Sequence, residues 1–299
     1  MESINYETET LAEDIKQVLA EQPHAESLLN AFSPLLLEKC RWLAEVRPYK
    51  KTFPVDPNKY EGGIPLIQQC LLFLPEDPWK SAALSVARGI GQGFPHLAED
   101  MAGLSERIAD GRFNCFSLVD SSTASGDDLL NDHAESLGIE RASLQLFLRF
   151  LTRFLLTKRA QDMAAELAPL SWKKGYCPVC GSFPQLAIIR DKGQKWLQCP
   201  DCSHEWQFPR LACPYCDHED PENTNYMFVE GKKEDTAFTC SKCLRYIITT
   251  HRSDTLRQIH PDLTAISLAH LDLIVQAKGF QPMVECEWNT FDPSQETDD

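Results

Sequence analysis

The apolar residues of this chain change their spacing near residue 170. Before that point they recur at three- and four-residue steps, the period that lines one face of a helix. Leu28, Leu29, Phe32, Leu35, Leu36 and Cys40 follow it, with Glu26, Asn30, Glu38 and Lys39 between them. A longer stripe of Leu144, Phe147, Leu148, Leu151, Phe154 and Leu155 predicts a helix over Arg141–Leu167, ended by Pro169. Leu146 and Phe150 widen it, and a stripe that wide belongs to an internal core face rather than to a groove for a partner helix. Shorter helices are predicted at Leu11–Ala20, Ile64–Leu74, Pro78–Gly89 and Leu97–Ile108, and Asp120–Asp127 is a loop by composition.

After residue 170 the pattern shortens to strands. Leu186–Ile189 and Lys195–Leu197 flank a turn at Asp191-Lys192-Gly193, and Asn225–Val229 and Thr236–Thr239 flank a second one at Gly231–Asp235. A last helix is expected over Asp262–Lys278, opened by Pro261-Asp262 and stopped by Gly279. Asp272 is expected on its exposed polar face.

Cysteine spacing adds the chemistry. Of twelve cysteines, eight form four C-x-x-C pairs: Cys177/Cys180, Cys199/Cys202, Cys213/Cys216 and Cys240/Cys243. A C-x-x-C turn lets two sulfurs reach one ion, and two such knuckles complete a four-coordinate sulfur shell. Three of the four open Cys-Pro, where the missing N–H does no harm, and Gly181 follows the first, where a positive φ is often needed. Cys240-Ser241-Lys242-Cys243-Leu244 has neither the Pro nor a small residue after it and is the weakest knuckle. A thioredoxin-like redox pair needs a strand before it and a helix after it, which four closely spaced copies do not offer.

Each hairpin carries a knuckle at either end, so the knuckles pair in sequence. Cys177, Cys180, Cys199 and Cys202 serve one ion, and Cys213, Cys216, Cys240 and Cys243 another. A cross-braced pairing, first with third and second with fourth, is the alternative. The cofactors are two tetrathiolate metal ions, iron or zinc, and with every position filled by protein neither ion is set up to activate water. His204 and His218 lie near knuckles but have no vacant position to fill. Cys40, Cys70, Cys115 and Cys286 stand alone, with buried packing expected for Cys40 and Cys70.

The fold class is α+β. A mainly helical N-terminal domain (1–170) precedes tandem rubredoxin-like or zinc-ribbon modules (171–211 and 212–260) and a C-terminal helix with an acidic tail (261–299). No catalytic residue is assigned: there is no phosphate loop, nucleophile elbow or H-E-x-x-H motif, and Gly89-Ile90-Gly91-Gln92-Gly93 follows a predicted helix, as a turn or break would. Formal charge is −15, from 29 basic and 44 acidic side chains. That acidity weighs against nucleic acid as a partner, although Arg190, Lys192, Lys195, Lys232 and Lys233 gather at the hairpin tips. No apolar run is long enough to insert in a membrane. The acidic, polar N-terminus is unlike an export signal, and twelve thiols fit a reducing cytoplasm.

One resemblance sharpens this. Tyr176-Cys177-Pro178-Val179-Cys180-Gly181-Ser182-Phe183-Pro184, then Leu197–Cys202, Glu205-Trp206 and Arg210–Cys216 resemble the metal domain of the FdhE family, formate dehydrogenase accessory proteins. The likeness runs from about Lys174 to Phe280; the first half resembles the family only in size and helical character. The resemblance implies a cytoplasmic assembly factor, not an enzyme, that binds the catalytic subunit of formate dehydrogenase before export and holds iron in rubredoxin-like knuckles. A homo-oligomer is compatible with it. A nucleic-acid-binding zinc ribbon and an iron electron-transfer protein are the alternative readings.

Overall fold

The computed structural model describes residues 7–48, 53–119, 127–190, 193–229, 232–252 and 259–290. Its first half is built from α1 (Thr8–Glu21), α2 (Glu26–Glu45), α3 (Pro57–Glu61), α4 (Trp79–Gly93), α5 (Ala98–Ala109), α6 (Asp127–Leu137) and α7 (Arg141–Leu167). The predicted stripes face inward as expected. Phe147, Leu151 and Phe154 of α7 are buried with Leu29, Phe32 and Leu35 of α2 and Val86 and Ile90 of α4. The three-glycine segment does not break α4 early; the helix runs to Gly93. A Cβ at Gly93 would come within 1.9 Å of the Ala31 carbonyl oxygen, so glycine lets α4 press directly on α2.

α7 is about 40 Å long at 1.5 Å per residue, and it serves two cores. Its N-terminal half belongs to the helical one. Its C-terminal half, through Leu156, Ala160, Met163 and Leu167, packs against Val179, Trp206 and Phe208 of the cysteine-rich half.

Two predicted helices differ in the structure. Ile64–Leu74 holds only a 3₁₀ turn at Leu66–Gln68. The N–H groups of Leu66 and Ile67 donate instead to the carbonyls of Pro178 (2.9 Å) and Val179 (3.0 Å), so this apolar segment braces a cysteine knuckle. The last helix is divided at Leu268 into α8 (Pro261–Ser267) and α9 (Ala269–Gln276). Asp272 is buried rather than exposed, because Tyr246 from another element donates its Oη to it at 2.6 Å. Burial pushes the Asp272 carboxyl up to about 7. The predicted loop and most of the first hairpin turn fall outside the described residues, which leave out 120–126 and 191–192. Of the second predicted turn, Gly231–Asp235, only Gly231 lies outside them; Lys232–Asp235 are strand, because the ladder that pairs Asp235 with Thr250 extends the strand beyond Thr236.

The remaining residues form one seven-stranded sheet. β1 (Leu186–Ile189), β2 (Lys195–Gln198) and β3 (Glu205–Phe208) make one antiparallel meander; β4 (Thr224–Val229), β5 (Lys232–Cys240) and β6 (Arg245–His251) make another. Parallel pairing of β1 with β6, Leu186 opposite Ile248, joins them in the order β3-β2-β1-β6-β5-β4, and β7 (Gln281–Pro282) adds to β6. β3 and β6, absent from the sequence reading, are the strands that follow the second and fourth knuckles.

Asp262, at the start of α8, ties the halves together. It is buried and accepts from Gln185 Nε2 of the β1 approach (2.9 Å), Gln198 Nε2 of β2 (2.9 Å) and Lys39 Nζ of α2. Burial alone would raise its carboxyl, but the charges of Lys39 and His260 overcome that and hold it at about 2. Asp262→Asn leaves the buried Lys39 without its counter-charge and is expected to cost about 3 kcal/mol of folding stability. Because the folded-state value is depressed below the ordinary one near 4, the contribution is complete above about pH 4 and fades only as pH falls toward 2. Urea unfolding of both proteins at pH 8 and pH 6 checks this: the loss should be equal at the two pH values.

Candidate metal centres

Each knuckle is a tight turn closed by backbone hydrogen bonds. Cys177 N–H donates to Ser182 O (2.8 Å), Cys199 N–H to His204 O (3.0 Å) and Cys213 N–H to His218 O (2.8 Å). Inside these loops the N–H after the second cysteine returns to the first: Gly181 to Cys177, Ser203 to Cys199, Asp217 to Cys213 and Leu244 to Cys240. That return requires a left-handed residue, and φ is +83° at Gly181, +54° at Ser203, +56° at Asp217 and +56° at Leu244. The fourth knuckle therefore has the same turn as the others in spite of its sequence. It carries a leucine where the backbone favours glycine.

The turns bring the eight sulfurs into two groups, Cys177, Cys180, Cys199 and Cys202, and Cys213, Cys216, Cys240 and Cys243, each with all ligand atoms within 4.8 Å of one another. This is the sequential grouping. In the first group Cys177–Cys202 is 3.4 Å, Cys180–Cys199 3.3 Å and Cys180–Cys202 3.8 Å; in the second Cys213–Cys243 and Cys216–Cys240 are both 3.8 Å. A tetrahedron with metal–sulfur bonds of about 2.3 Å has edges of about 3.8 Å, whereas a disulfide needs about 2.0 Å. All eight cysteines are free thiols. Hydrogen bonds from the other three sulfurs hold the Cys180 thiol well below its usual range, while burial drives Cys199 and Cys202 well above theirs. Crowded, desolvated sulfurs of this kind suit a cation that takes the place of their protons. Neither His204 nor His218 joins a group: His204 stacks on Trp206, and His218 Nδ1 lies 3.2 Å from Lys242 Nζ.

The two centres differ in their surroundings. The first is the more enclosed, with Cys180 alone of its four sulfurs partly buried, and it is tied to the helices on several sides. Arg153 of α7 donates from Nε to Asp201 of the second knuckle (3.1 Å) and from Nη1 to Glu287 (2.7 Å), with Phe150 and Trp288 beside its guanidinium. Asp201 also accepts from Ser182 Oγ, next to Cys180, and Lys39 Nζ donates to Ser203 Oγ (3.2 Å). The brace from Leu66 and Ile67 completes the enclosure. The second centre lies at the surface, where Cys216 and Cys243 are only partly buried and Leu211, Tyr215 and Leu244 are exposed. Among the described residues, no ion pair joins it to the helical half.

The residues of the first centre's support were not visible in the sequence. Arg153 stands within the apolar stripe of α7, and the one signal the sequence offers is that a cation in such a stripe needs a buried anion. The basic hairpin tip also changes character. Lys195 is buried and donates to Ala212 O (3.0 Å), its amine brought down to about 8 by burial, and Arg190 pairs with Glu205 over the Trp196 ring. Neither presents a free charge to phosphate. Lys192 and the side chains of Lys232 and Lys233 fall outside the described residues. Cys40 is buried as expected, whereas Cys70 is half-buried, its Sγ 3.5 Å from Leu66 O.

This asymmetry sets an order of reactivity. On titration with a chelator the second centre should empty first, and Cys216 and Cys243 should be alkylated before Cys177, Cys199 and Cys202; mass mapping of modified peptides reads the order directly. At the fourth knuckle, Leu244→Gly relieves a left-handed leucine whose side chain is mostly in solvent. It should raise stability by about 1 kcal/mol, measured as a rise in denaturation midpoint at unchanged metal content.

Comparison with known proteins agrees with this geometry. Residues 176–210, spanning the first centre, match the family described as "FdhE, central domain". The chain is 36% identical over 114 residues to the FdhE homolog of Aquifex aeolicus, covering 36% of this chain and 40% of that protein. It is 26% identical over 161 residues to the FdhE homolog of Actinobacillus pleuropneumoniae serotype 3, covering 52% and 51%. The matches thus span about half or less of these relatives. The crystal structure of the FdhE protein from Pseudomonas aeruginosa superposes with a TM-score of 0.55 at 19% identity, over 94% of this chain and 95% of that one, which establishes a shared fold. The resemblance to the FdhE family, drawn first from four cysteine knuckles, holds for the central-domain sequence and for the fold of both halves.

Proposed function

We propose that this protein is a cytoplasmic accessory factor for formate dehydrogenase, without catalytic activity of its own, that binds the immature catalytic subunit before export. The observation that carries this reading is the closure of both cysteine groups. Four sulfurs surround each centre, and among the described residues no further His, Cys, Asp or Glu joins either group. Cys177, Cys180, Cys199 and Cys202 hold one iron or zinc ion, and Cys213, Cys216, Cys240 and Cys243 hold the other. Closed tetrathiolate sites keep a shape rather than activate water, and the similarity to FdhE proteins supplies the client. The division into a helical domain over 1–170, metal modules over 171–211 and 212–260, and a tail over 261–299 belongs to the same proposal, with the helices as a frame for the metal-held surface. Free thiols throughout favour a reducing compartment.

The test is made in the native host. The tagged protein, purified anaerobically, should carry two metal equivalents per chain by element analysis and should bring down the formate dehydrogenase catalytic subunit. A deletion strain should lose formate dehydrogenase activity. Full activity in that strain, with no subunit retained on the tagged protein, would overturn the reading. Cys177→Ser should abolish soluble protein or its metal, while Cys213→Ser should retain the helical half and about one equivalent. The absorption spectrum separates iron, which is coloured in sulfur ligation and bleaches on reduction, from colourless zinc.

A further inference from the structure

β3 ends the sheet and is bonded to β2 on one side only. The bond from Cys199 N–H to His204 O sets the phase of that ladder. Leu197 opposite Trp206 and Lys195 opposite Phe208 then exchange hydrogen bonds, so the backbone groups of Glu205 and Gln207 point away from β2. None of those outward groups has a backbone partner among the described residues. An open edge of this kind is a template for another strand unless something blocks it.

The edge opens into a cleft of about 980 Å³ between the sheet and α7. Every residue from Cys202 to Arg210 lines it. A strand that turned one face to a cavity would contribute alternate residues; an unbroken run means that the edge itself faces the space. The opposite wall is α7 and its C-cap, where the small residues Ala160, Ala164 and Ala168 recur at four-residue steps with Thr157, Gln161 and Leu167 beside them. Trp196 Nε1, a buried donor with no partner among the described residues, belongs to the same lining. Arg210 at the hairpin end is exposed and has no ion pair among the described residues, while Arg190 and Lys39 are neutralised by Glu205 and Asp262.

We propose that this cleft receives an extended segment of a partner polypeptide, which adds to β3 as a further strand. The four residues of β3 give about 13 Å of ladder. Glu205 and Gln207 supply the main-chain bonds, the alanines of α7 admit the alternate side chains, and Arg210 favours a neutral or acidic segment over a basic one. Regularly spaced main-chain donors and acceptors along one wall match the backbone of a peptide better than the few convergent groups of a small-molecule pocket. The proposal deepens the accessory reading, since the segment would then belong to the client, and the test keeps the two apart.

Strand addition reads backbone, so a probe unrelated in sequence suffices: reduced, carboxymethylated α-lactalbumin, an acidic chain held unfolded. Metal-loaded full-length protein should bind it, and hydrogen exchange at Glu205 and Gln207 should slow at least tenfold on binding. Gln207→Pro removes an outward N–H without touching a bond to β2, and Ala164→Trp fills the cleft from the other wall. Each should weaken binding at least tenfold with circular dichroism and metal content unchanged. Absence of binding, unaltered affinity in both variants, or protection confined to other segments would overturn the proposal. So would a dimer of the protein alone that Gln207→Pro dissociates, because the occupant would then be a second copy. If the formate dehydrogenase subunit co-purifies equally with parent and Gln207→Pro, the cleft proposal fails and the accessory reading stands. If it co-purifies with neither while the probe binds as described, only the accessory reading fails.

Discussion

The grip of four sulfurs on one centre is the constraint on which the cysteine-rich half depends. The strands there are short: β1, β2 and β3 have four residues each, and β1 is buried along its whole length although its hairpin encloses little volume of its own. Burial within such a hairpin cannot outweigh the conformational entropy of ordering it. A tetrathiolate ion held there would contribute on the order of 10 kcal/mol per site, enough to close that gap, at the base of the sheet where the knuckles lie. The hydrogen bonds that close the knuckles then set where each strand starts, so the register of β2 against β3 follows from the turn at Cys199–His204.

From that base the two centres take on different work. The first is wired into α2 and α7 by Lys39 and Arg153, both buried cations with carboxylate partners. Buried ion pairs of this kind add little net stability, yet removing one partner is costly. They act mainly to fix position: Arg153 can satisfy Asp201 and Glu287 together only when α7, the second knuckle and the residues after β7 are in one arrangement. Among the described residues the second centre has no such ion pairs to the helices, and the exposed Leu211, Tyr215 and Leu244 lie around it. The molecule thus holds one metal-capable group as a keystone between its halves and another at its surface.

How much of this was legible in the sequence depended on whether the information was local. The C-x-x-C spacing is local, and it marks out the eight cysteines; their sequential grouping follows from the hairpins between them, and it is the structure that selects it over a cross-braced pairing. The α7 stripe is local too, and the helix has the predicted limits. Ile64–Leu74 misled because its apolar residues look helical while its backbone donors serve Pro178 and Val179, more than a hundred positions away. Asp272 misled for the same reason: nothing beside it in the chain announces Tyr246. β3 and β6 were missed because each begins right after a knuckle, where turn chemistry masks the strand pattern. Lys195 shows the limit of reading charge as exposure. At the end of a hairpin it seemed a solvated tip, but the strand alternation turns it inward to the Ala212 carbonyl, beneath the Phe238 ring.

The sheet also shows why its two ends are not equivalent. Each meander has the same order of parts, knuckle, hairpin, knuckle, strand, and two free copies would expose four edges. Parallel pairing of β1 with β6 removes two of them, and β7 lies beside β6 near that seam. The remaining edges are β3 and β4. β4 lies beside the second, surface centre, since Thr224 pairs with Cys240. β3 lies beside the first, under α7, which shares a core with Trp206 and Phe208 and lines the opening with Ala160 and Ala164 together with Thr157, Gln161 and Leu167. An unblocked edge is a liability that folded proteins usually cover. Here α7 packs on the side chains of Trp206 and Phe208, while the outward backbone groups of Glu205 and Gln207 have no backbone partner among the described residues. The ties of Arg153 and Lys39 thus fix α7 and α2 against the cysteine-rich half, and on the reading proposed above that fixed arrangement is what keeps the strand edge open to a partner segment.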